Sequence, residues 1–236
     1  MPIGGKTILI TGAGGIVGSG LAASFAAGGA RLLIAGRRQE PLEILAQKIH
    51  TAGGVCDTCV FDLRSRESLE RLVEFANEGD RRVDVLINNA ADTMSRSFRE
   101  TSLEEIENSI ATNLTGALQL TRLIVPGMIE RGSGAIVNIS SLAGYKPNPT
   151  QTVYSIAKGG INAMSEALFS ELRHCGIHVV NVALMGVGTG PMRIPVETVA
   201  RRIERALDCG EPEVFFYRST QWLMRLYGLI PSLKRR

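Results

Sequence analysis

The 236-residue sequence has few cysteines, few histidines and no long apolar run. No stretch approaches the roughly 18 apolar residues that a membrane-spanning helix needs, and residues 1–11 lack the layout of a secretory leader. Four cysteines in a chain of this length do not make a disulfide scaffold, so we expect a reducing, cytoplasmic compartment. The three histidines show no metal-ligand spacing with acids or cysteines, and we therefore expect no metal site.

The composition is otherwise that of a folded domain, with one residue type in excess. Hydrophobic residues make up 44% and charged residues 21%, which excludes a disordered chain. Glycine occurs 26 times, a share above the usual value of roughly 7%, and ten of these glycines fall within the first 36 residues. This clustering indicates a region where the backbone must approach a ligand or another element closely.

Short aliphatic runs alternate with longer amphipathic segments along the chain. The runs predict strands at 7–10, 31–35, 55–61, 83–87, 135–139, 177–184 and 214–217, and the segments predict helices at 18–28, 40–51, 65–77, 101–128, 152–174 and 196–207. Such alternation is typical of parallel βαβ units with right-handed crossovers. We therefore predict an α/β fold with one doubly wound parallel sheet, the Rossmann fold, forming a single domain over residues 1–217.

A glycine-rich turn directly follows the first predicted strand and opens a helix. Bare backbone N–H groups at the positive end of a helix dipole can bind a pyrophosphate, so the turn predicts a dinucleotide site, although glycines also serve ordinary tight turns. The residues of this expected loop are Thr11, Gly12, Gly14, Gly15, Ile16, Val17 and Gly18.

The end of the second strand indicates which dinucleotide is bound. An acid that could bind a ribose 2′-hydroxyl is missing there, and Arg37 and Arg38 offer two guanidiniums that suit a 2′-phosphate. We therefore predict NADP(H), against the alternative of a solvated basic turn. Asp62 and Leu63, just past the third strand, are expected near the adenine; alternatively, Asp62 caps the helix that begins near Ser65.

Tyr154 and Lys158 lie four positions apart on a predicted helix, so both project from one face toward a shared site. A neighbouring ammonium favours the phenolate form of a tyrosine, and such a tyrosine can exchange a proton with a carbonyl oxygen during hydride transfer. On its own this spacing is common on helix surfaces, so it indicates a catalytic site only together with further motifs.

The pair is one of five motifs that occur in a fixed order along the chain. With these motifs the chain resembles the short-chain dehydrogenase/reductase family over nearly all its length. They comprise the glycine loop, Asn88-Asn89-Ala90, Asn113-Leu114-Thr115-Gly116, Asn138-Ile139-Ser140-Ser141 and the Tyr154/Lys158 pair. The resemblance implies an NADPH-dependent oxidoreductase that interconverts a ketone or aldehyde with an alcohol. It also implies a homodimer or homotetramer, which pairs through the long helices around residues 104–128 and 152–173.

The resemblance assigns a role to each of four catalytic residues. Tyr154 is the acid/base, Ser141 rather than Ser140 holds the substrate oxygen, Lys158 binds the nicotinamide ribose and lowers the Tyr154 pKa, and Asn113 supports a water chain. Read from the residues alone, Ser141 could instead cap a loop and Asn113 could satisfy a buried carbonyl. Further cofactor contacts are expected at Asn89, Ala90, Gly186 and Thr189, and at Tyr154 itself.

The sequence departs from the family pattern at the glycine loop and at the nicotinamide end. Ile16 stands where a glycine is usual, giving a spacing similar to the longer, epimerase-like members; Ala91 and Met185 replace the usual Gly and Pro, and Thr189 comes one position early. Two alternative functions follow: a redox-neutral reaction of the epimerase or dehydratase type, and a non-catalytic regulatory protein that binds NADP(H).

The segment expected to cover the substrate is short. Twelve residues, 185–196, run from the end of the sixth strand to the first residue of the next predicted helix, too few for a long helical lid, and residues 145–151 form the opposite wall. We therefore expect an open cleft for a small-molecule carbonyl or alcohol substrate that is bulky or carrier-bound.

The formal charge of +3 is concentrated in the last 19 residues. From Arg218 onward there are five basic residues and no acid, which leaves 21 basic against 23 acidic residues in the rest of the chain. We therefore expect no nucleic-acid partner. The same tail, residues 218–236, carries apolar residues at helical spacing, so it is either an interfacial membrane helix or a helix that packs over the cleft or on a partner subunit.

Overall fold

A seven-stranded parallel sheet forms the centre of the protein. The computed structural model describes residues 1–79, 81–187 and 193–216. The strands are β1 Thr7–Thr11, β2 Arg31–Gly36, β3 Val55–Val60, β4 Val85–Asn88, β5 Gly134–Ser141, β6 Ile177–Leu184 and β7 Glu213–Val214. Their order in the sheet is β3-β2-β1-β4-β5-β6-β7, and every pairing is parallel.

Helices cover both faces of this sheet. They are α1 Ile16–Ala27, α2 Gln39–Thr51, α3 Arg66–Asn77, α4 Leu103–Ile110, α5 Gly116–Glu130, α6 Thr152–Leu172 and α7 Val196–Cys209. Side chains of a strand alternate between the faces, so Ile8 and Ile10 pack with α1, α2 and α7, whereas Leu9 packs with α3 and α5 on the other face. The two-sided burial explains the near-continuous apolar runs, and the predicted doubly wound parallel fold is confirmed.

The order of the strands fixes where a ligand can enter. The chain runs outward from β1 to β3 and then returns to the other side of β1 with β4, which makes the boundary between β1 and β4 a topological switch point. Connections leave the carboxyl ends of these two strands in opposite directions, and a crevice opens between them. The glycine loop follows β1 and Asn89 follows β4, so both lie at this crevice.

The predicted helix 101–128 is the element that differs most from expectation. The structure divides it into α4, a π-helical turn at Ala111–Thr115 and α5, which continues to Glu130. The turn centres on Asn113, whose side chain bonds to the backbone of Asp92. An extra residue per turn of this kind re-aims side chains and is frequent at functional sites.

Other boundaries shift by a few residues. The α1 helix begins at Ile16, inside the predicted loop, and β7 ends at Val214. None of the helices among the described residues is long and apolar enough to cross a bilayer. Thr189 and the tail 218–236 lie outside the described residues, so the expectations for both stay predictions, as does the domain boundary at 217.

Candidate active site

A cavity of about 1220 Å³ lies at the carboxyl ends of the strands. One end is lined by the glycine loop with Arg37 and Arg38, and the other by Ser141, Tyr154 and Met185. Its volume exceeds the roughly 300–1,000 Å³ of a typical ligand site. The cavity can therefore hold an extended cofactor together with a second molecule.

The glycine loop is tied to the end of β4 by hydrogen bonds. The Thr11 hydroxyl accepts from the backbone N–H groups of Asn89 at 3.0 Å and Ala90 at 3.1 Å, and the Asn89 amide donates to the Thr11 carbonyl at 2.9 Å. Thr11 itself is buried and does not line the cavity. It contributes by holding the two walls of the crevice together.

The loop has no room for side chains at two of its glycines. Gly12 has φ +66°, and a Cβ there would lie 2.6 Å from the Ala90 Cα; a Cβ on Gly18 would lie 2.5 Å from the Gly12 carbonyl oxygen. Ile16, the first residue of α1, is 70% exposed and lines the cavity. Bare backbone at a helix N-terminus fits the phosphates of a dinucleotide.

The far end of the cavity carries the predicted selectivity residues. Arg37 and Arg38 are exposed and line it together with Asp62 and Leu63. The Asp62 carboxylate accepts from the Arg64 guanidinium at 2.6 Å, and the hydrogen bonds from Arg64 hold the pKa of Asp62 below its usual range. Ser65, not Asp62, caps α3, so the alternative role considered for Asp62 is wrong.

Ser140 and Ser141 end β5 with opposite orientations, because successive residues of a strand face opposite sides. The Ser140 hydroxyl is buried and donates to the Asn162 amide oxygen at 2.5 Å. The Ser141 hydroxyl accepts from the backbone N–H of Ala143 at 3.1 Å. This geometry leaves Ser141, half-buried beside the cavity, as the serine that can meet a substrate.

Tyr154 lies on the first turn of α6 and is 8% exposed. Burial raises the pKa of its hydroxyl, and a hydrogen bond with the Ser141 hydroxyl acts in the opposite direction. The phenol is therefore protonated at neutral pH. A protonated tyrosine beside a serine hydroxyl can donate a hydrogen bond and then a proton to an oxygen placed between them.

Lys158 is one helical turn further along α6 and is 3% exposed. Its Nζ donates to the carbonyl of Ile139 at 2.8 Å and lies 5.7 Å from the centroid of the Tyr154 ring. Burial lowers the pKa of Lys158 from 10.5 to about 8. A cation held this close to the tyrosine ring can stabilise negative charge on the phenolic oxygen.

Asn113 is buried in the π-helical turn and does not line the cavity. Its Nδ2 donates to the carbonyls of Asp92 at 2.9 Å and Ser109 at 3.0 Å, and its Oδ1 accepts from the Asp92 N–H at 2.9 Å. The amide thus clamps the segment after β4 to the helix. The Nδ2 hydrogens are engaged in this clamp, whereas Oδ1 keeps a second lone pair that can accept a hydrogen bond from a water.

The structure therefore brings most of the sequence-predicted residues to one cavity. The lining residues among them are Gly12, Gly14, Gly15, Ile16, Val17, Gly18, Arg37, Arg38, Asp62, Leu63, Asn89, Ala90, Ser141, Tyr154, Lys158 and Gly186. Thr11 and Asn113 lie behind the lining. Sequence reasoning missed Arg64 and Arg193; a signal for Arg64 existed in its position two residues after Asp62.

A second group of polar residues, also missed, supports the wall beside Ser141. Asn162 accepts from Ser140 and from the Asn181 amide at 3.0 Å, and Asn181 also donates to the Tyr145 hydroxyl at 2.8 Å. Tyr145 in turn donates to the carboxylate of Glu213 in β7. These five side chains connect the end of β5 to the last strand of the sheet, and the connection had no local sequence signal.

Fold and cavity together define a dinucleotide-binding α/β protein with a serine, tyrosine and lysine at one end of the site. A family model for the short chain dehydrogenase matches residues 6–198. The chain belongs to the short-chain dehydrogenase family of oxidoreductases, which use nicotinamide cofactors. The ketoacyl reductase HetN of Nostoc sp. is 39% identical over 175 residues, which make up 74% of this chain and 61% of that relative.

Solved structures agree on the fold and differ in the nicotinamide they hold. A short-chain dehydrogenase from Sphingobium yanoikuyae in complex with NADPH has a TM-score of 0.86 at 27% identity, covering 97% of this chain and 94% of that one. An NAD⁺-bound xylitol dehydrogenase has a TM-score of 0.76 at 27% identity, covering 80% and 74%. The choice between the two cofactors therefore depends on this chain's own residues.

Proposed function

We propose that the protein is an NADPH-dependent oxidoreductase that interconverts a ketone or aldehyde with an alcohol, with Tyr154 as acid/base. One observation carries the proposal: Ser141, Tyr154 and Lys158 meet at one end of a cavity whose other end carries a glycine loop and two arginines. The name of the relative HetN, a ketoacyl reductase, supports a carbonyl substrate.

The residues proposed to hold the cofactor are spread along the cavity. The loop from Gly12 to Gly18 would bind the pyrophosphate, Arg37 and Arg38 the 2′-phosphate, and Asp62 with Leu63 the adenine. Asn89 and Ala90 would line the middle of the site, and Gly186 and Thr189 the nicotinamide end. The bound nicotinamide supplies or accepts the hydride.

The chain's own residues handle the substrate oxygen and its proton. In the reductive direction, the Ser141 hydroxyl donates a hydrogen bond to the carbonyl oxygen, and Tyr154 gives it a proton as negative charge develops there. The ammonium of Lys158 stabilises the phenolate that remains, and it would bind the ribose hydroxyls of the cofactor. Asn113 holds the π-helical turn, where a water chain would return a proton to Tyr154.

The assembly and location follow as further proposals. Exposed apolar side chains on α5 and α6, namely Leu118, Leu123 and Ile156, support a homodimer or homotetramer that pairs through these helices. The four cysteines are free, which supports a reducing, cytoplasmic location. Peripheral membrane contact through residues 218–236 stays a prediction from the sequence.

Oxidation of NADPH in the presence of a panel of ketones and aldehydes tests the proposal. A Tyr154→Phe variant should lose about 10²–10⁴-fold in kcat, the usual worth of a general acid, while its Kd for NADPH changes little. Unchanged turnover in this variant would refute the assignment. Substrate conversion without net NADPH consumption would favour the redox-neutral alternative, and NADPH binding without any conversion the regulatory one.

A further inference from the structure

Two cationic residues outside the catalytic group line the cavity and come from different segments of the chain. Lys146 belongs to the segment between β5 and α6, and Arg193 to the segment between β6 and α7. Both are exposed, and neither belongs to the catalytic group or to the expected 2′-phosphate site. The catalytic chemistry does not require either charge.

Hydrogen bonds tie both residues to other residues of the cavity lining. The backbone N–H of Lys146 donates to the Leu142 carbonyl at 2.8 Å, so Lys146 closes the turn that directly follows Ser141. Arg193 donates through Nη1 to the carbonyl of Val187, another lining residue, at 3.2 Å. A guanidinium has five N–H donors, so this one bond leaves Arg193 able to bind a ligand.

The charges of the lining are strongly unequal. Asp62 is the one carboxylate among the described lining residues, and it lies at the opposite end of the cavity, held by Arg64. Around Ser141 and Tyr154 the described lining is otherwise neutral or cationic. A cleft lined by one sign of charge concentrates ligands of the opposite sign.

We propose that the substrate is a carbonyl compound with an anionic group, and that Lys146 and Arg193 bind that group together. The proposal rests on the proposed function and names its substrate class. The anion sits between the two cations while the carbonyl oxygen meets Ser141 and Tyr154. Lys146 and Arg193 are thus specificity-determining residues rather than catalytic ones.

Carboxylates and phosphates share this chemistry and place the negative charge differently. A keto acid carries its charge on the reacting molecule, whereas a ketoacyl thioester of coenzyme A carries phosphates at the far end of a long arm. Two matched pairs of probes separate these sources: a keto acid with its methyl ester, and an acetoacetyl thioester of coenzyme A with that of N-acetylcysteamine.

Steady-state kinetics with these probes test the proposal on the whole chain. We expect the anionic member of one pair to exceed its neutral partner by about tenfold in kcat/KM, as for one well-placed charge pair. Lys146→Gln and Arg193→Gln should each remove most of that preference by lowering kcat/KM for the anionic partner. Lys48→Gln, which alters an exposed cation on α2, is the matched control and should keep the preference.

Three results would overturn the proposal. Equal kcat/KM within both pairs would show that the site does not recognise an anion. A preference that survives both substitutions would show that other residues recognise it. A raised Kd for NADPH in Arg193→Gln, with the preference intact, would assign Arg193 to the cofactor. Turnover of the neutral probes in these cases would leave the proposed oxidoreductase function standing.

Discussion

The Tyr145 hydroxyl donates a hydrogen bond to the Glu213 carboxylate and thereby joins the turn after Ser141 to the last strand of the sheet. The same hydroxyl accepts from the Asn181 amide at 2.8 Å, and the Tyr145 ring packs against Phe215 at a centroid distance of 5.3 Å. The Tyr145 side chain thus connects the turn after β5 to strands β6 and β7 and supports this wall of the cavity.

Tyr145→Phe is expected to destabilise the protein, since it leaves Glu213 and Asn181 without this partner. Unsatisfied buried groups cost about 1–3 kcal/mol, which corresponds to a fall in Tm of roughly 2–12 °C for a chain of this size. Thermal unfolding at neutral pH measures the loss. Glu213→Gln keeps an acceptor oxygen for the hydroxyl and should cost less; an equal or larger loss would contradict this account.

The pKa of the Tyr145 hydroxyl leads to a prediction about stability at alkaline pH. Burial, and next the Glu213 carboxylate, raise the pKa of Tyr145 above its ordinary value of 10. An acid with a raised pKa in the folded state contributes stability that is complete below its unfolded pKa and lost as the pH rises above that value. The Tm difference between the wild type and Tyr145→Phe should therefore shrink above about pH 10. A constant difference would exclude the linkage.

The glycine loop offers a matched pair of substitutions. Gly12 and Gly5 both have positive φ, at +66° and +72°, but a Cβ on Gly12 would lie 2.6 Å from the Ala90 Cα, whereas nothing lies within 4 Å of one on Gly5. Gly5→Ala should cost only the strain of its backbone, about 1–2 kcal/mol. Gly12→Ala should cost roughly 1–3 kcal/mol more, because the two walls of the crevice must move apart.

Cofactor binding separates these two variants further. Gly12→Ala should raise the Kd for NADPH, because the displaced loop is the one proposed to bind the phosphates, and Gly5→Ala should leave it unchanged. Thermal unfolding and fluorescence titration with NADPH check both statements. Equal losses of stability in the two variants would show that the close approach of Gly12 to Ala90 does not add to the cost of the substitution.

The sequence predicted the fold well because the fold depends on local patterns. Apolar runs marked strands buried on both faces, and the turn from Thr11 to Gly18 marked the ligand crevice. The four-residue spacing of Tyr154 and Lys158 likewise brought both to one face of α6. Each of these signals lies within one or two turns of a helix or one strand.

Contacts between distant segments could not be predicted in this way. The π-helical turn at Asn113 depends on a bond to Asp92, 21 residues away, and Tyr145 finds Glu213 at a separation of 68 residues. Asp62 is the instructive intermediate case, since Asp62 and Ser65 are both good helix caps by residue type. Only the folded backbone selects Ser65 and leaves Asp62 to bond with Arg64.

Arg37 and Arg38, just past the end of β2, are expected to determine the preference for NADPH over NADH. Each guanidinium can form charge-assisted hydrogen bonds with a 2′-phosphate that NADH lacks, so Arg37→Gln and Arg38→Gln should each lower the ratio of kcat/KM for NADPH over NADH by about tenfold. The substitutions should lower kcat/KM for NADPH and leave kcat/KM for NADH unchanged. Lys48→Gln serves as the control, and a ratio unaffected in both arginine variants would favour the solvated basic turn.

The buried Lys158 leads to a prediction about how the stability of the protein depends on pH. Its pKa falls from 10.5 to about 8 because burial disfavours the ammonium. A base with a lowered pKa in the folded state destabilises the protein below that pKa, and the penalty fades as the pH rises from the folded to the unfolded value. Between pH 7 and pH 10, the wild type should therefore gain roughly 2–3 kcal/mol relative to Lys158→Met, which has no such charge.

Denaturant unfolding of both proteins without cofactor, at several pH values, measures this difference. Burial raises the pKa of Tyr145 and Tyr154 above the ordinary value of 10, so neither tyrosine loses its proton in the folded protein over this range, and the change reports the lysine. Lys158→Met also loses the bond to the Ile139 carbonyl, a cost that does not depend on pH and leaves the slope intact. A flat difference from pH 7 to pH 10 would mean that Lys158 keeps an ordinary pKa despite its burial.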